Sequence, residues 1–149
     1  MKILIDGDAL PNLLKPILIK AINREEIKTI VVSNKKVSIG KSLYIEYIVV
    51  PLGLDVADRK IVELASEKDL VITADIPLAN SIVEIGATGL DHRGELFTSE
   101  NIKQLLVMRN LMAEIRDSGE ILKGTSPFSS KNAEKFANQL NAFLQKRRR

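Results

Sequence analysis

One stretch constrains this chain more than any other. Residues 55–79 read Asp55-Val-Ala-Asp-Arg-Lys-Ile-Val-Glu-Leu-Ala-Ser-Glu-Lys-Asp-Leu-Val-Ile-Thr-Ala-Asp-Ile-Pro-Leu-Ala79. Ile61, Leu64 and Ala65 recur at helical spacing behind Asp55 and Asp58, which predicts a helix. Leu70-Val-Ile-Thr73 is a short apolar, β-rich run, the signature of a strand covered on both faces. Asp75 follows where that strand ends, and Pro77 stands just inside the next helix. The stretch therefore reads as helix, tight turn, buried strand and helix start. It places carboxylates at a helix start and at the carboxyl end of a strand, where open α/β sheets bind ligands.

The N-terminus repeats the arrangement. Lys2-Ile-Leu-Ile5 is a strand and Asp6-Gly-Asp8 is its exit. Residues 9–12 form a loop, because Pro16 bars a regular helix from reaching back through it. Pro16 fits the first turn of a helix running to about Asn23, with Leu14, Ile17, Leu18 and Ala21 as its buried stripe. Residues 29–32 are a second strand, ending in the polar turn Ser33-Asn-Lys-Lys36. Residues 44–50 are a third, stopped by Pro51, and Gly53 allows the sharp approach to Asp55. The helix over 76–85 is closed by Gly86. Residues 87–90 are a short last strand, and Asp91-His-Arg-Gly94 is a turn.

The remainder reads as helical. Thr98 or Ser99 caps a helix whose first turn carries Glu100. Leu105, Met108, Met112 and Ile115 line its core face, and Gly119 follows its end. Residues 124–130 form a loop anchored by Phe128. The last helix starts at Ser129 or Ser130 and buries Phe136, Ala137, Leu140 and Leu144. Strands alternating with helices predict an α/β fold, a mostly parallel sheet flanked by helices, with two C-terminal helices packed on it. Its 149 residues suit one domain over 1–149, with the α/β core in 1–97 and a helical extension in 98–149.

The acids carry the chemistry. Asp6, Asp8, Asp55, Asp58 and Asp75 are expected to converge on one metal-binding cluster, with Asp6, Asp58 and Asp75 as the first ligands. Carboxylates held close repel, and a cation between them relieves the repulsion. Mg²⁺ and Mn²⁺ prefer oxygen ligands, activate water and neutralise a phosphodiester transition state. Plain helix capping also fits Asp55, Asp58 and Asp75. Asp6 is harder to assign that way, since a strand exit needs no carboxylate. The chain has no cysteine, so disulfides and thiolate metal sites are excluded. No apolar run spans a bilayer, and no charged-then-apolar leader opens the sequence. A cytoplasmic protein without a membrane partner is the expectation. The net charge of +3 is too small to argue for nucleic acid alone, although Lys146-Arg-Arg-Arg149 makes a basic end.

Here the sequence resembles a family. Asp58-x-x-Ile-Val-x-x-Ala65 followed by Asp69-Leu-Val-Ile-Thr-Ala-Asp75 is similar to the last two motifs of PIN-domain nucleases, and Asp6 to their first. More closely, the chain resembles the YaiI/YqxD family, a PIN-like bacterial group. The matching pieces are Asp6-Gly-Asp-Ala9 with Pro11, Asp55-Val-Ala-Asp58, Leu70-Val-Ile-Thr-Ala-Asp-Ile-Pro-Leu-Ala79 and Arg93-Gly-Glu95. Asn101-Ile102, Arg109 and Pro127-Phe128 extend the match over nearly the whole chain. The resemblance implies a PIN-like fold and Mg²⁺- or Mn²⁺-dependent hydrolysis of RNA. Leu10 stands where that family usually carries a cysteine, so no chemistry of this chain needs that thiol. The Glu of the second PIN motif has no match: Asp8 or Asp55 replaces it, or the site is incomplete.

Other polar residues are candidates for substrate binding. Arg93 and Arg109 suit a phosphate through the planar guanidinium fork, and a structural salt bridge fits either as well. Arg109 interrupts an apolar helix face, which points to a buried partner or a site role. Asn34, at a strand exit, is a rim contact or a plain turn residue. Thr73 suits positioning of water or ligand, or simply a strand. His92, alone in a turn, is expected in solvent. Aromatics make up 4% of the chain, too few for a base-stacking platform. Two other functions compete with the metal-dependent ribonuclease. One is a non-catalytic RNA- or partner-binding module. The other is a haloacid-dehalogenase-like phosphoryl-transfer enzyme, suggested by Asp6-x-Asp8 but lacking the usual Thr or Val two residues on.

Overall fold

Strand β1 (Ile3–Asp6) is apolar until its last residue, and it sits in the middle of a sheet. A computed structural model describes residues 1–120 and 126–147. The sheet has six strands in the order β3-β2-β1-β4-β5-β6. Strands β2 (Thr29–Ser33), β3 (Ile45–Val49), β4 (Leu70–Ile72) and β5 (Thr88–Leu90) run parallel to β1. The last, β6 (Leu96–Phe97), pairs antiparallel with β5. The expectation of a mostly parallel α/β sheet holds. Residues 87–90 are not its last strand, however, because β6 follows the turn at 91–94. Two residues carry no periodicity by which to recognise them.

Both faces of the sheet are covered, which explains the unbroken apolar runs of β1, β2 and β4. On one face lie α1 (Leu14–Glu25) and α5 (Ser130–Arg147), whose Leu14, Leu18, Ala21, Ile22, Phe136, Leu140 and Leu144 join Ile3, Ile5 and Ile72 in one core. Pro16 takes its expected place in the first turn of α1. Ala133 is buried in α5, whereas Ala137 is only half-buried. On the other face, α2 (Val56–Leu64) and α3 (Ile76–Glu84) place Ile61, Leu78 and Ile82 against Leu4, Ile30 and Val71. Burying each such side chain stabilises the fold by about 1.5–3 kcal/mol relative to exposure. Gly86, with φ +90°, closes α3 in a conformation that favours glycine.

Helix α4 (Ile102–Asp117) departs most from expectation. It docks on α3 through Ile102 and Leu105, which meet Ala79, Ile76 and Val83. Met108 and Met112, expected in the core, are 49% and 38% exposed. Leu105 of the expected stripe is packed, whereas Met108 and Met112 farther along it are not. Its start also differs: Thr98 and Glu100 belong to the turn before it, where Asn101 Oδ1 accepts from the Thr98 amide at 2.9 Å. The expected loop at 124–130 lies partly outside the described residues, as do the last two residues of the basic end.

Candidate functional site

The strand order reverses direction at β1. The chain builds outward through β2 and β3, then returns to place β4 on the other side of β1. Ligands of open α/β sheets bind at such a switch point, outside the carboxyl ends of the strands. Asp6 ends β1 and Asp75 follows β4, so the two acids stand on either side of this crevice. Thr73 joins them. It is fully buried, its hydroxyl donates to Asp6 Oδ2 at 3.1 Å, and its oxygen accepts from the Asp75 amide at 3.0 Å. The threonine thus ties Asp6 to the start of α3.

Asp75 is also the cap of α3. Its Oδ1 accepts from the Leu78 amide at 3.0 Å, which leaves its other oxygen free of that bond. Asp55 precedes α2 in the left-handed region, at φ 59°, and makes no side-chain cap bond. Capping therefore accounts for one oxygen of Asp75 and not for Asp55. Asp58, in the first turn of α2, is close enough to Asp75 for the two carboxylates to interact electrostatically.

The electrostatics follow. Burial raises the pKa of Asp58, and the charges of Asp75, Asp6 and Asp55 raise it further, to about 6. Burial also raises Asp6, opposed by hydrogen bonds from Thr73 and the Asp8 backbone and helped by the charges of Asp8 and Asp75. The five expected acids are thus linked through their fields, with Asp6 and Asp58 reaching toward Asp75. Asp8 faces differently. Both its oxygens accept from the Asn34 amide, at 2.9 and 3.0 Å, so it braces the exit of β2. Gly7 permits this, since a Cβ there would lie 2.8 Å from Val31. Among the described residues, no three of His, Cys, Asp and Glu stand as a group that could hold a metal ion. Asp6, Asp75 and Asp8 instead accept from protein donors, the Thr73 hydroxyl and the Leu78 and Asn34 amides.

The other candidates fall elsewhere. Asn34 lies beside Asp8, with its backbone engaged. Arg93 donates to the Ser126 carbonyl at 2.7 Å and to Asn132 Oδ1 at 3.3 Å, and its guanidinium lies 5.8 Å from the Phe128 ring centre. It ties the β5–β6 turn to the segment leading into α5. Phe128 is an anchor, as expected. Arg109 is exposed on α4 and bonds only its neighbour Asn110, at 3.2 Å, so the expected buried partner is absent among the described residues. His92 is buried, contrary to expectation, with no hydrogen-bond partner for Nε2 among the described residues. Burial lowers its pKa.

Sequence reasoning missed Arg59. A cleft of about 370 Å³ opens between α2 and α3, lined by Asp58 and Arg59 on one side and Pro77 and Leu78 on the other. An isolated arginine on an exposed helix turn gives no sequence signal of this.

Sheet and acids together define an α/β protein with a carboxylate cluster at its topological switch point. The chain belongs to the YaiI/YqxD family: the family model described as "Uncharacterized BCR, YaiI/YqxD family" matches residues 4–146. Among similar proteins are UPF0178 proteins of Sulfurimonas denitrificans, Sulfurovum sp. and Marinomonas sp., which are 58%, 56% and 48% identical to it. These matches cover 98%, 98% and 99% of this chain and 97%, 99% and 99% of theirs. No solved structure matches the chain. Among the described residues no helix is long and apolar enough to cross a membrane.

Proposed function

We propose that this protein is a Mg²⁺- or Mn²⁺-dependent ribonuclease of PIN-like type, acting in the cytoplasm. One observation carries the reading: Asp6, Asp58 and Asp75 come from three separate elements to the switch point, where burial, reinforced by the neighbouring carboxylates, raises the pKa of Asp58 to about 6. Structural acids are normally paired with donors or cations; acids made to repel are the mark of a site. The donor set fits a hard cation in kind, being all oxygen. Asp6, Asp58 and Asp75 would hold the ion, and Asp58 would give up its proton to do so. A bound ion of this class supplies activated water and neutralises charge on a phosphodiester.

The chain's own residues do the rest. Thr73 keeps Asp6 and the Asp75 backbone in one arrangement. The Asp58 carboxyl, with a pKa of about 6, gains and loses a proton close to neutral pH. The test is cleavage of a labelled single-stranded RNA with Mn²⁺. Activity abolished by EDTA and by Asp75→Asn is expected. Activity that survives both refutes the reading. A non-catalytic RNA-binding module is favoured by one observation, that no three acids yet stand as a ligand set among the described residues. RNA binding without cleavage at any Mn²⁺ concentration would select it.

A further inference from the structure

The cleft between α2 and α3 lies beside the acid cluster but is chemically unlike it. Asp55 and Asp58 are common to both. Beyond them the walls are the aliphatic Val62, Pro77 and Leu78, and Arg59 stands at the side. Lys60, next along α2, is paired with Glu63 at 3.7 Å, whereas Arg59 has no side-chain partner among the described residues. Ser81, also at the cleft, spends its hydroxyl proton on the Pro77 carbonyl at 3.2 Å. The cleft therefore offers one free cationic fork and an apolar floor, with no competing donor from Ser81.

We infer that this cleft is a nucleotide subsite, in which Arg59 binds the phosphate and Val62, Pro77 and Leu78 take the base or sugar of the unit next to the scissile bond. The inference rests on the ribonuclease reading for its neighbour, the scissile phosphodiester. Four physical points support it. A guanidinium with no protein partner keeps its donors for a phosphate, and binds it in a planar, bidentate way. The aliphatic floor accepts a flat ring or a sugar without demanding a particular base. A volume of about 370 Å³ falls at the lower end of the range of roughly 300–1,000 Å³ for small-molecule sites, which suits one nucleotide unit and not a duplex. Last, Asp55 and Asp58 belong to the cleft wall as well as to the acid cluster, so a strand seated there adjoins that cluster. The substrate class is thus a single strand, held on one side of the cleavage point with little base preference.

Fluorescence anisotropy with a labelled oligouridylate in EDTA tests this, because binding is read without cleavage. Arg59→Ala is expected to weaken binding about 5- to 20-fold and to reduce the salt slope by about one. Arg59→Lys should recover part of the affinity and all of the slope. Val62→Glu, at the floor, should weaken binding as well. The Arg59 side chain is exposed, so circular dichroism and melting of Arg59→Ala should match wild type. Unchanged affinity and slope in Arg59→Ala overturns the subsite. Parallel cleavage assays with Mn²⁺ separate the two readings. If wild type binds, Arg59→Ala does not, and neither cleaves, the subsite stands and the ribonuclease falls. If both cleave with equal KM, the ribonuclease stands and the subsite falls. Wild type that neither binds nor cleaves removes both.

Discussion

The two ends of β4 hold acids with opposite fates. Before the strand, Asp69 is 2% exposed and fully served: the Lys2 ammonium lies 2.6 Å from Oδ2, and the Lys2 and Ser66 amides donate at 3.0 and 2.8 Å. Burial pushes its pKa up, but these donors outweigh burial and hold it below the ordinary value. Beyond the strand, at the switch point, burial raises Asp6 and Asp58, and their acidic neighbours add to it where Asp69 has donors to oppose it. The side chain is the same at both ends. What differs is whether the fold supplies a cation. At Asp69 it supplies one and the acid is structural; at the switch point, among the described residues, no Lys or Arg forms an ion pair with Asp6, Asp58 or Asp75.

The comparison breaks most readily at Asp69. Asp69→Ala removes one partner of a buried pair and strands the Lys2 and Ser66 donors. Lys2 is partly exposed and recovers some hydration, so the expected loss is about 2–4 kcal/mol. Urea denaturation measures it, and a loss under about 1 kcal/mol would make the Lys2 pair unimportant.

The switch point should respond in the opposite sense. Asp75→Asn keeps the α3 cap, because Asn caps as well as Asp, and removes one repelling charge. Metal-free protein carrying it should melt at the same temperature or higher, by an amount on the order of 1 kcal/mol. Mn²⁺ should raise the melting temperature of wild type by mass action, and that of the variant less. Destabilisation without metal, with equal Mn²⁺ shifts in both, would return Asp75 to a purely structural role.

The pH dependence sharpens the contrast, because the two acids have slopes of opposite sign. Asp58 is raised in the folded state, so its contribution is fully present below its unfolded pKa near 3.8 and is lost as pH rises through about 6. Its partial exposure reduces this to on the order of 1 kcal/mol. Asp69 is lowered, so its contribution is present above that unfolded value and is lost as pH falls below it. Stability profiles of Asp58→Asn should be flatter between pH 4 and 6 than wild type. Identical profiles in that window would show that Asp58 is not raised.

The smallest effect serves as a control. Arg109 is exposed on α4 and, among the described residues, bonds only Asn110. Arg109→Ala should change stability by less than about 0.5 kcal/mol and leave Mn²⁺ shifts untouched. A larger loss would mean that α4 has a partner.

Much of the centre was legible because its signals are local. The runs Ile3-Leu-Ile5 and Leu70-Val-Ile72 announce buried strands, and Asp6 and Asp75 announce themselves by standing where such runs stop. Thr73 and Asp58 carry the same information at one remove. What escaped depends on distance in the chain. Asp69 meets Lys2 across 67 residues, and Arg59 gains meaning only when α3 closes a cleft beside it. Helix α4 misled because its apolar stripe runs on past the point where α3 covers it, so Leu105 packs and Met108 and Met112 do not. His92 looked like a turn residue in water, and its burial comes from tertiary packing alone. The orientation of Asp8 toward Asn34 was equally invisible, since it depends on the approach of two strand exits.

The central claim is that Asp6, Asp58 and Asp75 form one cation site at the switch point. Anomalous diffraction from crystals soaked in Mn²⁺ above pH 6 addresses it most directly. The account predicts a single strong peak within bonding distance of those three carboxylates, lost in Asp75→Asn crystals. A peak elsewhere on the molecule, or none between these acids at saturating Mn²⁺, would contradict it.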